Sequence, residues 1–85
     1  MVLKAFGIFD VQASCFSPPF FMSTKGQAVR AFTDLVNDHQ STVFKHPEDY
    51  RLGQLGTFDD FTGMLSTTDI EWLGSGNEYF KVKEV

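Results

Sequence analysis

Only one stretch of this chain repeats its apolar residues every three or four positions. Wound as a helix, 24–38 places Ala28, Ala31, Phe32, Leu35 and Val36 on one stripe, with Arg30, Thr33, Asp34 and Asn37 facing away. Thr24 and Gln27, three residues apart, match a capping box, in which the two residues satisfy each other's backbone N–H groups. Asn37-Asp38-His39 is a reasonable stop. The remaining patterned segments read as strands and turns. A single helix has one apolar stripe, so it can cover one face of a sheet and must leave the other to something else.

The strands follow from alternation. Between Val2 and Val11, Leu3, Ala5, Phe9 and Val11 fall on one side, and Lys4, Phe6, Ile8 and Asp10 on the other. From Ser14 to Phe21 the pair Pro18-Pro19 forbids a regular ladder. Thr42-Val43-Phe44 is a short β-prone run, and 46–49 is a turn in which Pro47 fixes φ. Tyr50 to Phe58 reads as a strand, with Gly53 and Gly56 marking a bulge or close packing. The five residues 59–63 form a hairpin loop, and Met64 to Asp69 returns as a strand. Ile70 to Asn77 reads as irregular around Gly74 and Gly76. Tyr79 to Val85 reads as an edge strand blunted by Lys81 and Lys83. The expectation is one α+β domain over 1–85: a small, mostly antiparallel sheet in the order β-α-β-β-β, with one amphipathic helix packed on one face. The uncovered face is the expected working surface.

Composition sharpens this picture at three points. The chain has 85 residues, enough for one modest core. Its ten phenylalanines exceed what so small a core needs, which points to a subunit interface or a stacking surface as well. Net charge is −4 but unevenly spread. Residues 1–33 set Lys4, Lys25 and Arg30 against Asp10 for a balance of +2, and the rest of the chain carries −6. That balance argues against strong nonspecific nucleic-acid binding and leaves only the first third open to it. Cys15, the single cysteine, has no partner for an intrachain disulfide and fits a reducing compartment. No apolar run approaches the ~18 residues of a membrane span. No signal peptide is evident at the start, so the expected location is the cytoplasm.

Motifs for chemistry are sparse. Cys15, His39 and His46 lack the paired spacing of a zinc site, and Asp59-Asp60 lacks the alternating oxygens of a calcium loop. No nucleophile elbow occurs, and the paired acids Glu48-Asp49 and Asp59-Asp60 sit in wet turns. Neither a catalyst nor a cofactor is expected. The ingredients of single-stranded nucleic-acid binding are present, because such sites join positive charge to rings on which bases stack. Lys4 and Phe6 share a strand face, Tyr50 precedes Arg51, and Phe80 precedes Lys81.

Several short pieces, taken in order, point to one family. They are the helix with Ala28, Arg30, Phe32 and Val36-Asn37, then His46-Pro47-Glu48-Asp49-Tyr50 with Leu52, then Leu55-Gly56, and Phe58-Asp59-Asp60 before Thr62-Gly63. Together they resemble the small nonstructural protein of gokushoviruses, microvirus phages with a circular single-stranded DNA genome. The likeness covers nearly the whole chain. It implies an accessory protein of genome replication that is not part of the virion. By analogy with the microvirus protein that switches duplex synthesis to single-strand synthesis, it implies contact with single-stranded DNA, the replication machinery, or both. It brings no catalytic residues with it.

Two functional expectations follow. In the first, a small homo-oligomer in the host cytoplasm pools Lys4, Lys25, Arg30, Lys45 and Arg51, with Phe6 and Tyr50 as stacking rings, to bind single-stranded DNA. In the second, the acidic hairpin 46–69 and the rings of Phe61 and Trp72 dock on a replication or host protein. Neither involves a metal or a membrane.

Overall fold

The computed structural model describes residues 1–81. Strand β1 (Val2–Asp10) is followed by two short strands, β2 (Cys15–Phe16) and β3 (Phe20–Met22). Helix α1 (Lys25–Val36) leads to a single turn of helix, α2 (Thr42–Lys45), and a 3-10 turn at Pro47–Asp49. The hairpin β4 (Tyr50–Asp59) and β5 (Leu65–Ser75) comes next, then the short helix α3 (Gly76–Tyr79). The sheet is antiparallel throughout, in the order β2-β1-β4-β5, with β3 also on β1. The α+β architecture and the one-sided helix are therefore as the sequence predicts. No helix among the described residues is long and apolar enough to cross a membrane.

The capping box forms. Thr24 Oγ1 accepts from Gln27 N at 3.2 Å, and Gln27 Oε1 accepts from Thr24 N at 3.2 Å. The stripe of α1 then packs Ala28, Phe32 and Val36 against Phe6 of β1 and Leu52 of β4, with Val43 closing one end. Phe6, Ala28, Val36 and Leu52 are fully buried and Phe32 is 1 % exposed. Tyr79 brings its ring edge-on to Phe32 at 5.8 Å.

The Pro18-Pro19 pair breaks the ladder as expected, leaving β2 to pair Phe16 with Phe9 and β3 to pair Phe20 with Phe6. Three local expectations are corrected. Thr42-Val43-Phe44 is helical rather than extended, because Ser41 caps it (its Oγ accepts from Phe44 N at 3.0 Å) and Val43 turns into the core. Strand β5 continues through Ile70 to Ser75, and register shifts opposite Leu52/Gly53 and Gln54/Gly56 absorb the irregular composition. Among the described residues the expected edge strand from Tyr79 does not form. Tyr79 ends α3, where its hydroxyl donates to Leu73 O at 2.5 Å, and Lys81 N donates to Asn37 Oδ1 at 2.8 Å. The rest of that expected strand, with Lys83, lies outside the described residues.

Gly56 is required by close approach. A Cβ there would lie 2.0 Å from the backbone oxygen of Ser66 on the neighbouring strand β5. Gly56→Ala should destabilise the hairpin, since a backbone atom cannot move aside as a side chain can. Phe32→Ala should lower the unfolding free energy by about 3–5 kcal/mol. Arg30→Ala, on the solvent side of the same helix, should change it by less than ~0.5 kcal/mol. Urea denaturation of the variants, followed by circular dichroism, measures all three.

Candidate nucleic-acid interface

Alternation along β1 assigns the two faces of the sheet. Lys4, Phe6, Ile8 and Asp10 share the side covered by α1, since Phe6 and Ile8 belong to the helix-packed core. Leu3, Ala5, Gly7 and Phe9 point the other way. Registers carry this second face across the sheet: Phe9 lies opposite Phe16 and Arg51, Leu3 opposite Phe58, and Gly53 opposite Trp72. Among the described residues no helix covers this face.

Rings gather there in two groups. Phe16 and Trp72 stack at 5.8 Å with planes 11° apart, and Phe9 meets both, at 5.0 Å from Phe16 and 6.0 Å from Trp72. Phe21 and Phe58 form the second group, 5.4 Å apart. Trp72 is 47 % exposed and Phe21 40 %. The Trp72 ring lies over Gly53, where a Cβ would come within 3.3 Å of it. Glycine at that position lets the indole lie flat on the sheet. Beside it runs a groove lined by Arg51, Trp72, Gly74, Ser75 and Glu78. Arg51 is exposed and supplies a cation next to the stacked rings, while Glu78 sets a carboxylate on the same groove.

The expected nucleic-acid residues do not converge. Phe6 is 0 % exposed and offers no ring to a base. Tyr50 packs on the helix-side core. Lys4 is half-buried on the covered face, opposite Met22. Lys25 is exposed and pairs with Glu71 at 2.5 Å. Arg30 and Lys45 are exposed on α1 and α2, on the helical side of the sheet. Of the seven residues expected to contact nucleic acid, only Arg51 lies on the open face. Of the two expected partner anchors, Trp72 lies on it, and Phe61 projects from the hairpin tip at 90 % exposure.

Phe9 and Phe16 are the residues that sequence reasoning missed. Their signal was present in the odd-numbered positions of β1, all apolar or glycine from Leu3 to Phe9. Lys4, sharing a strand face with Phe6, drew the expected binding residues to the even positions instead. In the structure Lys4 lies near the end of β1, two positions before the fully buried Phe6. The 3-10 turn also gathers His46, Glu48 and Asp49, whose ligand atoms lie within 4.8 Å of one another, a grouping that the spacing rules did not flag.

The hairpin tip is held by Asp59. Its carboxylate accepts from Phe61 N at 2.9 Å and from Thr62 N at 3.4 Å, and Gly63 N donates to Asp59 O at 2.7 Å. The amides of Phe61, first, and of Thr62 hold the Asp59 carboxyl below its ordinary value of 3.8.

Geometry thus defines a class: a small α+β domain with one face closed by a helix and the other paved with rings around a single arginine. The chain belongs to the phage ORF5 protein family, whose model matches residues 3–79. It is a bacteriophage protein. No curated protein and no solved structure matches it.

A folded pKa that is depressed stabilises the turn above the unfolded value, and the stabilisation is lost as pH falls through the folded value. The amide resonances of Phe61 and Thr62 should therefore titrate with a midpoint below 3.8 and lose that step in Asp59→Asn. Acid titration followed by NMR checks both.

Proposed function

We propose that this phage protein is a non-catalytic accessory factor of genome replication that binds single-stranded DNA on the sheet face opposite α1. The observation that supports this reading is the exposed Trp72, stacked on Phe16 and abutted by Phe9, with Arg51 in the adjoining groove. Bases stack on such rings whatever their sequence, at about 1–3 kcal/mol per base. In this mode Arg51 meets a backbone phosphate beside the stacked base. The likeness to the gokushovirus nonstructural protein, whose phages carry a single-stranded genome, favours the same ligand.

The proposed mode is stacking-dominated. One arginine on the face and a chain of net charge −4 cannot track a long run of phosphates. Single strands contribute a log–log salt slope of about −0.7 per phosphate neutralised. The slope per protomer should therefore be shallow, in contrast to the steep one expected from five pooled basic residues. Glu78 opposes the phosphate in the same groove, which limits affinity and favours release.

Fluorescence anisotropy with a labelled oligothymidylate tests this reading. Trp72→Ala should weaken binding roughly 5- to 150-fold, and Arg51→Ala should weaken it and flatten the salt slope. Glu78→Gln should strengthen it. Lys45→Ala, on the helical side, should leave it unchanged. An intact wild-type protein that fails to bind at low salt and high micromolar concentration overturns the proposal.

A further inference from the structure

Among the described residues the outer side of β5 carries no strand: in the sheet order β2-β1-β4-β5 it is the last member, and it pairs with β4 alone. It is also long, at 11 residues from Leu65 to Ser75, and 65–72 is exposed throughout. Such an edge offers unpaired N–H and C=O groups to any chain that can lie alongside. Proteins guard these edges with lysine, proline, bulges or brevity. Here the far half is guarded. Between Gln54↔Glu71 and Gly56↔Thr67, β5 takes two extra residues, so it bulges over 68–70 just where Asp69 and Glu71 stand. The near half has no such guard. From Phe61 to Thr68 there is no charge and no proline, while Phe61, Met64 and Leu65 are 90 %, 64 % and 67 % exposed. The acids next to this stretch are already engaged: Asp60 meets the ammonium of Met1 at 2.8 Å, and Asp59 accepts the turn amides.

We propose that a second copy of this chain adds to the near half of β5, antiparallel across a two-fold axis at Ser66. In this register Ser66 of one copy lies opposite Ser66 of the other, with Leu65 opposite Thr67 on either side of the axis. Every paired position is uncharged, so two molecules that each carry −4 meet without like charges facing. Registers centred farther along, on Asp69 or Glu71, set carboxylates against each other and run into the bulge. A charged partner finds nothing to read between Phe61 and Thr68, which favours a self-complementary neutral edge over a foreign one. Leu65 and Thr67 share the open face, being opposite Phe58 and Gly56. Pairing them keeps the two ring-lined faces on the same side of one continuous sheet. The dimer rests on the edge alone. Its consequence, two ring clusters side by side for one strand, rests on the DNA-binding reading above.

Light scattering coupled to gel filtration decides the matter on the full chain. The wild type should run as a dimer of 9.6 kDa subunits at tens of micromolar. Thr67→Lys places an edge lysine without touching a residue of the core and should weaken the dimer at least tenfold, with the circular dichroism unchanged. As a positive test that needs no loss of structure, Ser66→Cys in a Cys15→Ser background should cross-link to itself on mild oxidation, whereas His39→Cys should not. A monomeric wild type at 100 µM, or a dimer indifferent to Thr67→Lys, overturns the proposal. If Thr67→Lys keeps the dimer mass and lowers only DNA affinity, the tip touches nucleic acid and the proposal fails. Trp72→Ala separates the two readings: it should weaken DNA binding while the dimer persists.

Discussion

The structure depends on how α1 lies on the sheet. Phe32 and Val36 of the helix, with Ala28 small enough to let it come close, bury Phe6 and Leu52 on the two central strands. Burial of large apolar side chains is worth about 1.5–3 kcal/mol each, and this chain has few of them to place. The helix therefore fixes which face of β1 and β4 is inside. Once that choice is made, every odd residue of β1 is committed to the opposite face, because strand side chains alternate. Phe9, Phe16 and Trp72 form a surface cluster as a direct result.

That cluster stabilises the sheet and remains available. Phe9 and Phe16 are half-buried by each other and by the indole, so the sheet gains an aromatic layer without a second helix. Trp72 caps the layer and keeps nearly half its surface in water. An unfilled face of this kind tends to associate with something. Its chemistry is flat, aromatic and nearly neutral, with one guanidinium at its margin. These features suit stacked bases better than a charged protein partner, and they account for the proposed shallow dependence on salt. The acidic character of the chain is carried largely elsewhere: Asp34 and Asp38 belong to the helical side, and Asp59 and Asp60 are used in the hairpin turn.

Much of the fold was legible because its signals are local. The capping box names both of its partners within three residues, the helical stripe repeats within one element, and Asp59 to Gly63 carries its own turn chemistry. The misreadings share a cause, which is that contacts distant in sequence overrode local preference. Ser41 and the core slot for Val43 made a helix of a β-prone triplet. Register shifts carried β5 past residues that looked irregular, and Tyr79 was drawn back to Phe32 instead of starting a strand. The site was legible only as an abstraction. That one face stays uncovered follows from having one helix. Which face it is depends on whether Lys4 lies over the core or near the end of its strand, and alternation gives the same pattern either way. Hence Phe6 and Tyr50 were assigned to the ligand and belong to the core, while Phe9 and Phe16 were passed over.

The central claim is that the face opposite α1 is the one that meets single-stranded DNA, and Trp72 reports on it directly because it is the chain's only tryptophan. Titrating the protein with unlabelled oligothymidylate while following its intrinsic fluorescence measures contact at that face and nowhere else. The account predicts saturable quenching as thymine stacks on the indole. Binding that saturates by an independent probe while the tryptophan emission stays constant would contradict it.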